Sequence, residues 1–198
     1  MEYDASKMVR TRVVWFAAAA LVLACVAAVV ARVLLPSGPI APDFTLTDQN
    51  GQPYSLAAHR GHAVALFFGY AHCPDVCPTT LSALARAKRK LGASAANFDV
   101  VLVTVDPARD TPAVLKRYVQ LFDPTFTGLT GTEKQLEPVY DAYHVYHEVD
   151  SGKGSANGYV VAHSSAVQFI SPDGRLRGTG DWSDSPDELA ALMRQAQS

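Results

Sequence analysis

The chain has 198 residues, 48% hydrophobic and 18% charged, which suits one packed domain with a tail and is a poor fit for two full domains. Its net charge is −2 and its pI about 6.3. With no basic block and no acidic run, it excludes an electrostatic nucleic-acid binder and a polyanionic disordered tail.

In chain order, residues 1–12 place Lys7, Arg10 and Arg12 ahead of Val13–Ala31, 19 residues without a charge. As a helix rising about 1.5 Å per residue, this run spans roughly 28 Å, close to the hydrocarbon thickness of a bilayer. Arg32 interrupts it, but a long cationic stem can snorkel, so the span extends to Leu35. A buried core helix is disfavoured because the run leaves no polar face. Three cations precede it and only Arg32 closely follows. The positive-inside rule therefore puts residues 1–12 in the cytoplasm and the remainder outside. The expectation is a single-pass anchor over residues 13–35 in a bacterial inner membrane, with the folded part in the periplasm. Twelve residues leave no room for an Arg-rich mitochondrial presequence. Two processed forms compete with the anchor: a signal peptide cut near Ala31, and a lipoprotein cut at "VLAC" before Cys25. After such a cysteine polar residues are expected, whereas "VAAVVARVLL" follows. In the uncut helix Cys25 is a small apolar residue. "PSGPIAP", residues 36–42, reads as an extended linker, leaving residues 43–198 as the folded domain.

Within that domain, Phe44–Leu56 alternates around Asn50-Gly51, a strong hairpin signal. Ala63–Tyr70 and Phe98–Val105 are continuous apolar runs that read as buried parallel strands. Pro78–Leu91 between them is an amphipathic helix with cations at its C-terminal end. Thr111 caps a helix to Phe122 with Pro112 at its first position. Thr132–Tyr143 is a third helix. "YHVYHEV", "YVVAHSSAVQFI" and "GRLRGTG" read as strands, and Pro186–Gln197 as a last helix. This alternation predicts an α/β domain with a mostly parallel sheet covered on both faces. Reactive groups are then expected beyond the carboxyl ends of the strands.

The stretch "FFGYAHCPDVCPTTL" leaves the first buried strand at that edge. Pro78 should hold Cys77 out of helical angles and start the helix, with Cys77 at or near its cap. The positive helix end would then lower the Cys77 pKa, and thiolate is both nucleophile and metal ligand. A spacing of four lets two sulfurs converge on one ion or on each other. A structural disulfide closing so short a loop would constrain little chain entropy. Of six histidines, His59, His62, His144 and His147 lie in polar stretches and read as solvated. His72 adjoins Cys73 on a tight loop and should point away. His163 ends an apolar run at a strand-to-strand junction, which by itself fits a core or surface histidine. "VDPARDTP" follows the second buried strand. It reads as a turn at Asp106-Pro107, an Arg109–Asp110 pair and a helix start, or as a shaper of the cysteine loop.

"GYAHCPDVCPTTL", "VTVDPARDTPAVLKRY" and "VAHSSAVQFISPDGRL", in this order, closely resemble the Sco/SenC copper proteins that assist cytochrome c oxidase assembly. The resemblance runs from Phe44 to the C-terminus. It implies a thioredoxin-like fold with an N-terminal β-hairpin extension, here preceded by one transmembrane helix. It implies copper, as Cu(I), Cu(II) or both, on the two motif cysteines and a downstream histidine: Cys73, Cys77 and His163. It also implies a metallochaperone for the CuA site of oxidase subunit II. Other periplasmic copper chaperones or thiol reductants are further expected partners. One departure stands out: an acidic residue often precedes the family's histidine, and here Ala162 does. Two thiolates and an imidazole suit copper, and no convincing fourth ligand supports structural zinc. No enzyme activity is expected beyond thiol–disulfide exchange by Cys73 and Cys77. Two alternatives share these residues: a membrane-tethered thiol–disulfide oxidoreductase or peroxiredoxin, and a copper or redox sensor. Against the first, three residues separate the cysteines, and His163 stands where redox thioredoxins carry a proline.

Overall fold

The computed structural model describes Trp15, residues 21–26, 38–150 and 159–198. Most of the expected anchor, residues 13–35, lies outside the described residues, though Trp15 and Leu21–Val26 are helical. No helix among the described residues is long and apolar enough to cross a membrane. The chain divides into residues 1–37 and Gly38–Ser198, and the second unit holds both sheets.

Its centre is β3 (Ala63–Gly69), buried at every position, paired in parallel with β4 (Phe98–Thr104). Burial of successive residues requires cover on both faces, because neighbours on a strand point opposite ways. β5 (Thr127–Thr130) continues the sheet in parallel beyond β4. The hairpin of β1 (Thr45–Asp48) and β2 (Pro53–Ser55) docks antiparallel on β5 through β1. On the other side β8 (Val167–Ile170) and β9 (Leu176–Gly180) extend β3 antiparallel. The order is β2-β1-β5-β4-β3-β8-β9. Only the β3–β4 and β4–β5 pairings are parallel, so the expected mostly parallel sheet is in fact mixed. The hairpins β1–β2 and β8–β9 flank the parallel centre and dock on it antiparallel, through β1 on β5 and β8 on β3, whereas β3, β4 and β5 are joined by helical crossovers.

Helix α1 (Val76–Arg89) packs on α4 (Pro186–Ala196), which also covers β9. Helix α2 (Pro112–Gln120) lies on β5, where a Cβ at Gly128 would come within 2.9 Å of Leu115. Helix α3 (Glu133–Ala142) contacts β1. The strand-to-strand junction expected at His163 is present, with Ser164–Ala166 between two strands. The first of them, β7 (Val160–His163), pairs with β6 (His147–Asp150) in a separate two-stranded ribbon. The linker also differs from expectation in its described part. Ile40 bridges Arg175, and Leu176 N–H donates to the Pro39 carbonyl at 2.9 Å, so residues 38–42 are stitched to the body. Gly38 allows this with φ +94, where a Cβ would meet the Leu176 carbonyl oxygen at 2.0 Å.

One edge gathers the reactive segments. Gly69 ends β3 opposite Thr104, the end of β4, and Phe67 pairs with Val167 at the start of β8. The cysteine loop, the Asp106–Asp110 turn and the Ser164–Ala166 junction all leave from there.

Candidate metal centre

Cys73 lies in the turn after β3, where its N–H donates to the Tyr70 carbonyl at 3.3 Å. Helix α1 starts at Val76, two residues earlier than expected, with Asp75 as N-cap. Cys77 is therefore inside the first turn, and Pro78 does not hold it out. A proline in a first turn removes only an N–H that has no helical partner anyway. Cys77 is fully buried. Gly69 makes room for it, since a Cβ there would stand 2.8 Å from Cys77 Sγ and 2.9 Å from the Phe67 ring.

The Cys77 amide donates to Cys73 Sγ at 3.4 Å. The helix end thus presents its N–H to the other sulfur, and the expected pKa pattern is reversed. The neighbouring Cys77 thiol, with smaller help from His163 and the Cys77 amide against the cost of burial, lowers Cys73 to about 4. Cys77 is pushed up by its bond to Cys73 and by burial. The first-turn amide of Cys77 bonds the half-buried sulfur, and the buried one keeps the proton.

His163 reaches the pair from the end of β7, with Nε2 3.3 Å from Cys77 Sγ. Its Nδ1 lies 2.8 Å from the Ser164 carbonyl, which can only accept, so Nδ1 carries the proton. That leaves the Nε2 lone pair directed at the sulfurs, the tautomer a metal ligand needs. The rings of Phe67 and Tyr70 stand edge-on to the imidazole, with centroids 6.3 and 5.7 Å away. The ligand atoms of Cys73, Cys77 and His163 lie within 4.8 Å of one another, and neither motif cysteine is in a disulfide. A cleft of about 410 Å³ opens beside them, lined by Tyr70, Cys73, Pro74, Val76, Ala162 and His163 among others. A soft cation could enter by this route and meet two sulfurs and a nitrogen.

The motif sequence matches the SCO1/SenC family over residues 34–198. The chain belongs to the SCO1/SenC family. It is 34% identical over 155 residues to an SCO2-like protein of Rickettsia felis, covering 78% of this chain and 76% of that one. Among solved structures it is similar to Bradyrhizobium japonicum ScoI with copper bound, at 34% identity and TM-score 0.72, covering 80% of this chain and 100% of the other. Arabidopsis thaliana ScoI with copper bound is also similar, at 30% identity and TM-score 0.73, covering 79% of this chain and 98% of that one. The family resemblance and the mixed α/β, thioredoxin-like Sco fold are both borne out.

In this Sco protein the "VDPARDTP" segment secures both arms of the site. Asp110 Oδ2 accepts from the Ala71 amide at 3.1 Å and from Thr104 Oγ1 at 2.6 Å, tying down the cysteine loop. Arg109 pairs with Asp106 rather than with Asp110 as expected. Its guanidinium lies 3.6 Å from the Tyr159 ring centroid and donates to the Tyr159 carbonyl at 3.0 Å. The Tyr159 hydroxyl donates to Asp106 Oδ1 at 2.7 Å, and the Tyr70 hydroxyl accepts from the Val161 amide at 3.1 Å. These bonds fix the strand that ends in His163. Tyr70 and Tyr159 do not stand out in the sequence, because each acts through a partner far away in the chain, and Ser164 acts through its backbone carbonyl, which its side chain does not reveal.

Three of the histidines read as solvated are engaged. His59 and His62 face Asp99 at 3.1 and 3.2 Å. His147 stands 3.5 Å from Glu137, its ring centroid 4.4 Å from that of Tyr140. His144 is exposed as expected, with φ 53. His72 is directed at Asp110, 3.7 Å away.

Proposed function

We propose that this Sco protein is a membrane-anchored copper metallochaperone. It carries one copper ion on Cys73, Cys77 and His163 and assists assembly of the CuA site in cytochrome c oxidase subunit II. The carrying observation is the convergence of Cys77 Sγ and His163 Nε2 at 3.3 Å, with Cys73 beside them. Two soft donors and one borderline donor suit Cu(I), and the imidazole extends the set toward Cu(II). Copper is cargo here, and the chain's residues bind it, orient it and keep the cleft open for transfer. Similarity to ScoI proteins with copper bound supports this reading. Residues 13–35 act as the single-pass anchor in a bacterial inner membrane, and the folded unit works in the periplasm, receiving copper from other chaperones there.

A second role is favoured by one observation. Cys73 is acidic and a second thiol stands beside it, which is the arrangement of a dithiol reductant. The same cysteines would reduce a disulfide of the target to its two thiols before loading, themselves closing a Cys73–Cys77 disulfide, without turnover as a free-standing enzyme. Transfer separates the roles. Two equivalents of the chain, one loaded with Cu(I) and one with Cu(II), mixed with reduced, copper-free subunit II should generate the CuA absorption bands. If it reduces an oxidised target but yields no CuA bands, the delivery reading fails and the reductant reading stands.

A further inference from the structure

A second cluster of metal-ligating groups lies on the other side of the cysteine loop. Ligand atoms of His72, Asp106 and Asp110 fall within 4.8 Å of one another. Both carboxylates are buried, Asp106 at 3% exposure and Asp110 at 0%. Arg109 balances one of the two negative charges. Asp110 Oδ2 is satisfied by Ala71 and Thr104. Its Oδ1 is buried with no hydrogen-bond partner. That oxygen faces His72 Nδ1 at 3.7 Å, beyond hydrogen-bond length. A buried carboxylate oxygen left without a partner is costly, and a cation between it and the imidazole would satisfy both. The half-exposed His72 side chain gives the ion a way in from solvent.

We infer that His72, Asp110 and Asp106 form a second cation site, separate from Cys73, Cys77 and His163. It stands on these three residues alone and needs no copper at the thiols. One imidazole nitrogen with carboxylate oxygens selects a borderline divalent ion, Zn(II) or Cu(II), whereas Cu(I) goes to the sulfurs. Zn(II) and Cu(II) can therefore occupy either site, whereas Cu(I) is confined to the sulfurs. They also touch mechanically, because an ion on Asp110 would stiffen the carboxylate that holds the Ala71 amide, two residues before Cys73.

Calorimetric titration with zinc chloride tests this. The Cys73→Ser/Cys77→Ser double variant should bind one equivalent, and adding His72→Ala should abolish it. Unmodified protein should bind two equivalents and the single His72→Ala variant one, which keeps the test sound if the double variant misfolds. The Ala71 amide resonance should shift with the second equivalent. His59 and His62 around Asp99 are the competing cluster. No zinc bound without the thiols, or binding that survives His72→Ala and is lost on His59→Ala or His62→Ala, would overturn the site. A simple His72–Asp110 ion pair would give the first of these results.

Discussion

At the residue scale, the two sulfurs are chemically unequal. Cys73 is lowered to about 4, first by its bond from Cys77, and Cys77 is raised. An acidic group with a depressed pKa stays ionised as pH falls until that pKa is reached. Cys73 should therefore react with iodoacetamide at a nearly constant rate from about pH 5.5 to 7.5, and slow as pH falls toward 4, unlike an ordinary thiol near pKa 8.5. Cys77 should resist modification while the fold holds. A Cys73 rate that climbs about tenfold per pH unit through neutrality would show an unperturbed thiol. His163 makes the second residue-scale claim. His163→Ala leaves both sulfurs in place, so Cys73 and Cys77 should still oxidise to a disulfide. Altering outer-shell partners alone costs roughly 10–100-fold in metal affinity. Loss of the imidazole should thus lower Cu(II) affinity by about 100-fold or more and weaken the thiolate-to-Cu(II) absorption, while Cu(I), able to use two thiolates, loses less. Absorption titrations of both proteins read this out, and an unchanged spectrum would remove His163 from the site.

At the element scale, the ribbon β6–β7 carries His163 but lies outside the main sheet, so its placement depends on the clamp of Asp106, Arg109 and Tyr159. Arg109→Ala would leave Asp106 buried without this guanidinium, a loss of roughly 3 kcal/mol of stability by analogy with broken buried pairs. It should also weaken Cu(II) binding in the folded protein, yet leave Cys73 reactivity nearly unchanged, because Asp110 holds the cysteine loop independently. Equal loss of copper binding and Cys73 reactivity would mean that the two arms are not separately held. The long apolar runs behind β3 and β4 were legible in the sequence, since unbroken burial leaves a clear pattern. The Thr111-Pro112 start of α2 was legible too, and Thr111 does accept from the Val114 amide. The four-residue β5 was not, because "TGLT" is short and contains a glycine that admits α2. The junction between β7 and β8 was legible at His163, but the separate β6–β7 ribbon was not, because only tertiary pairing assigns β7 to β6. At α1, the proline rule gave a start two residues late, since it describes the average residue before proline and not a first helical turn.

At the scale of the whole molecule, the sequence motifs brought out Cys73, Cys77 and His163, which the fold draws together, because the family resemblance covers nearly all of the folded unit. The division of labour between the sulfurs and the clamp behind His163 emerged only from packing. In the proposed function, one copper ion depends on both sulfurs of an otherwise self-sufficient fold. The domain's large buried core includes Phe67, Phe98, Phe126 and Phe169, and a disulfide spanning so few residues adds little chain constraint. Oxidation of Cys73 and Cys77 should thus remove the site and spare the structure. The decisive measurement is an anaerobic Cu(I) titration of the reduced and the oxidised chain against a competing chelator, with circular dichroism recorded on both. The reduced form should bind one equivalent and the oxidised form none, with matching dichroism spectra and full recovery after reduction. Equal Cu(I) affinity in the two forms would contradict this dependence on the thiols and place the copper site elsewhere.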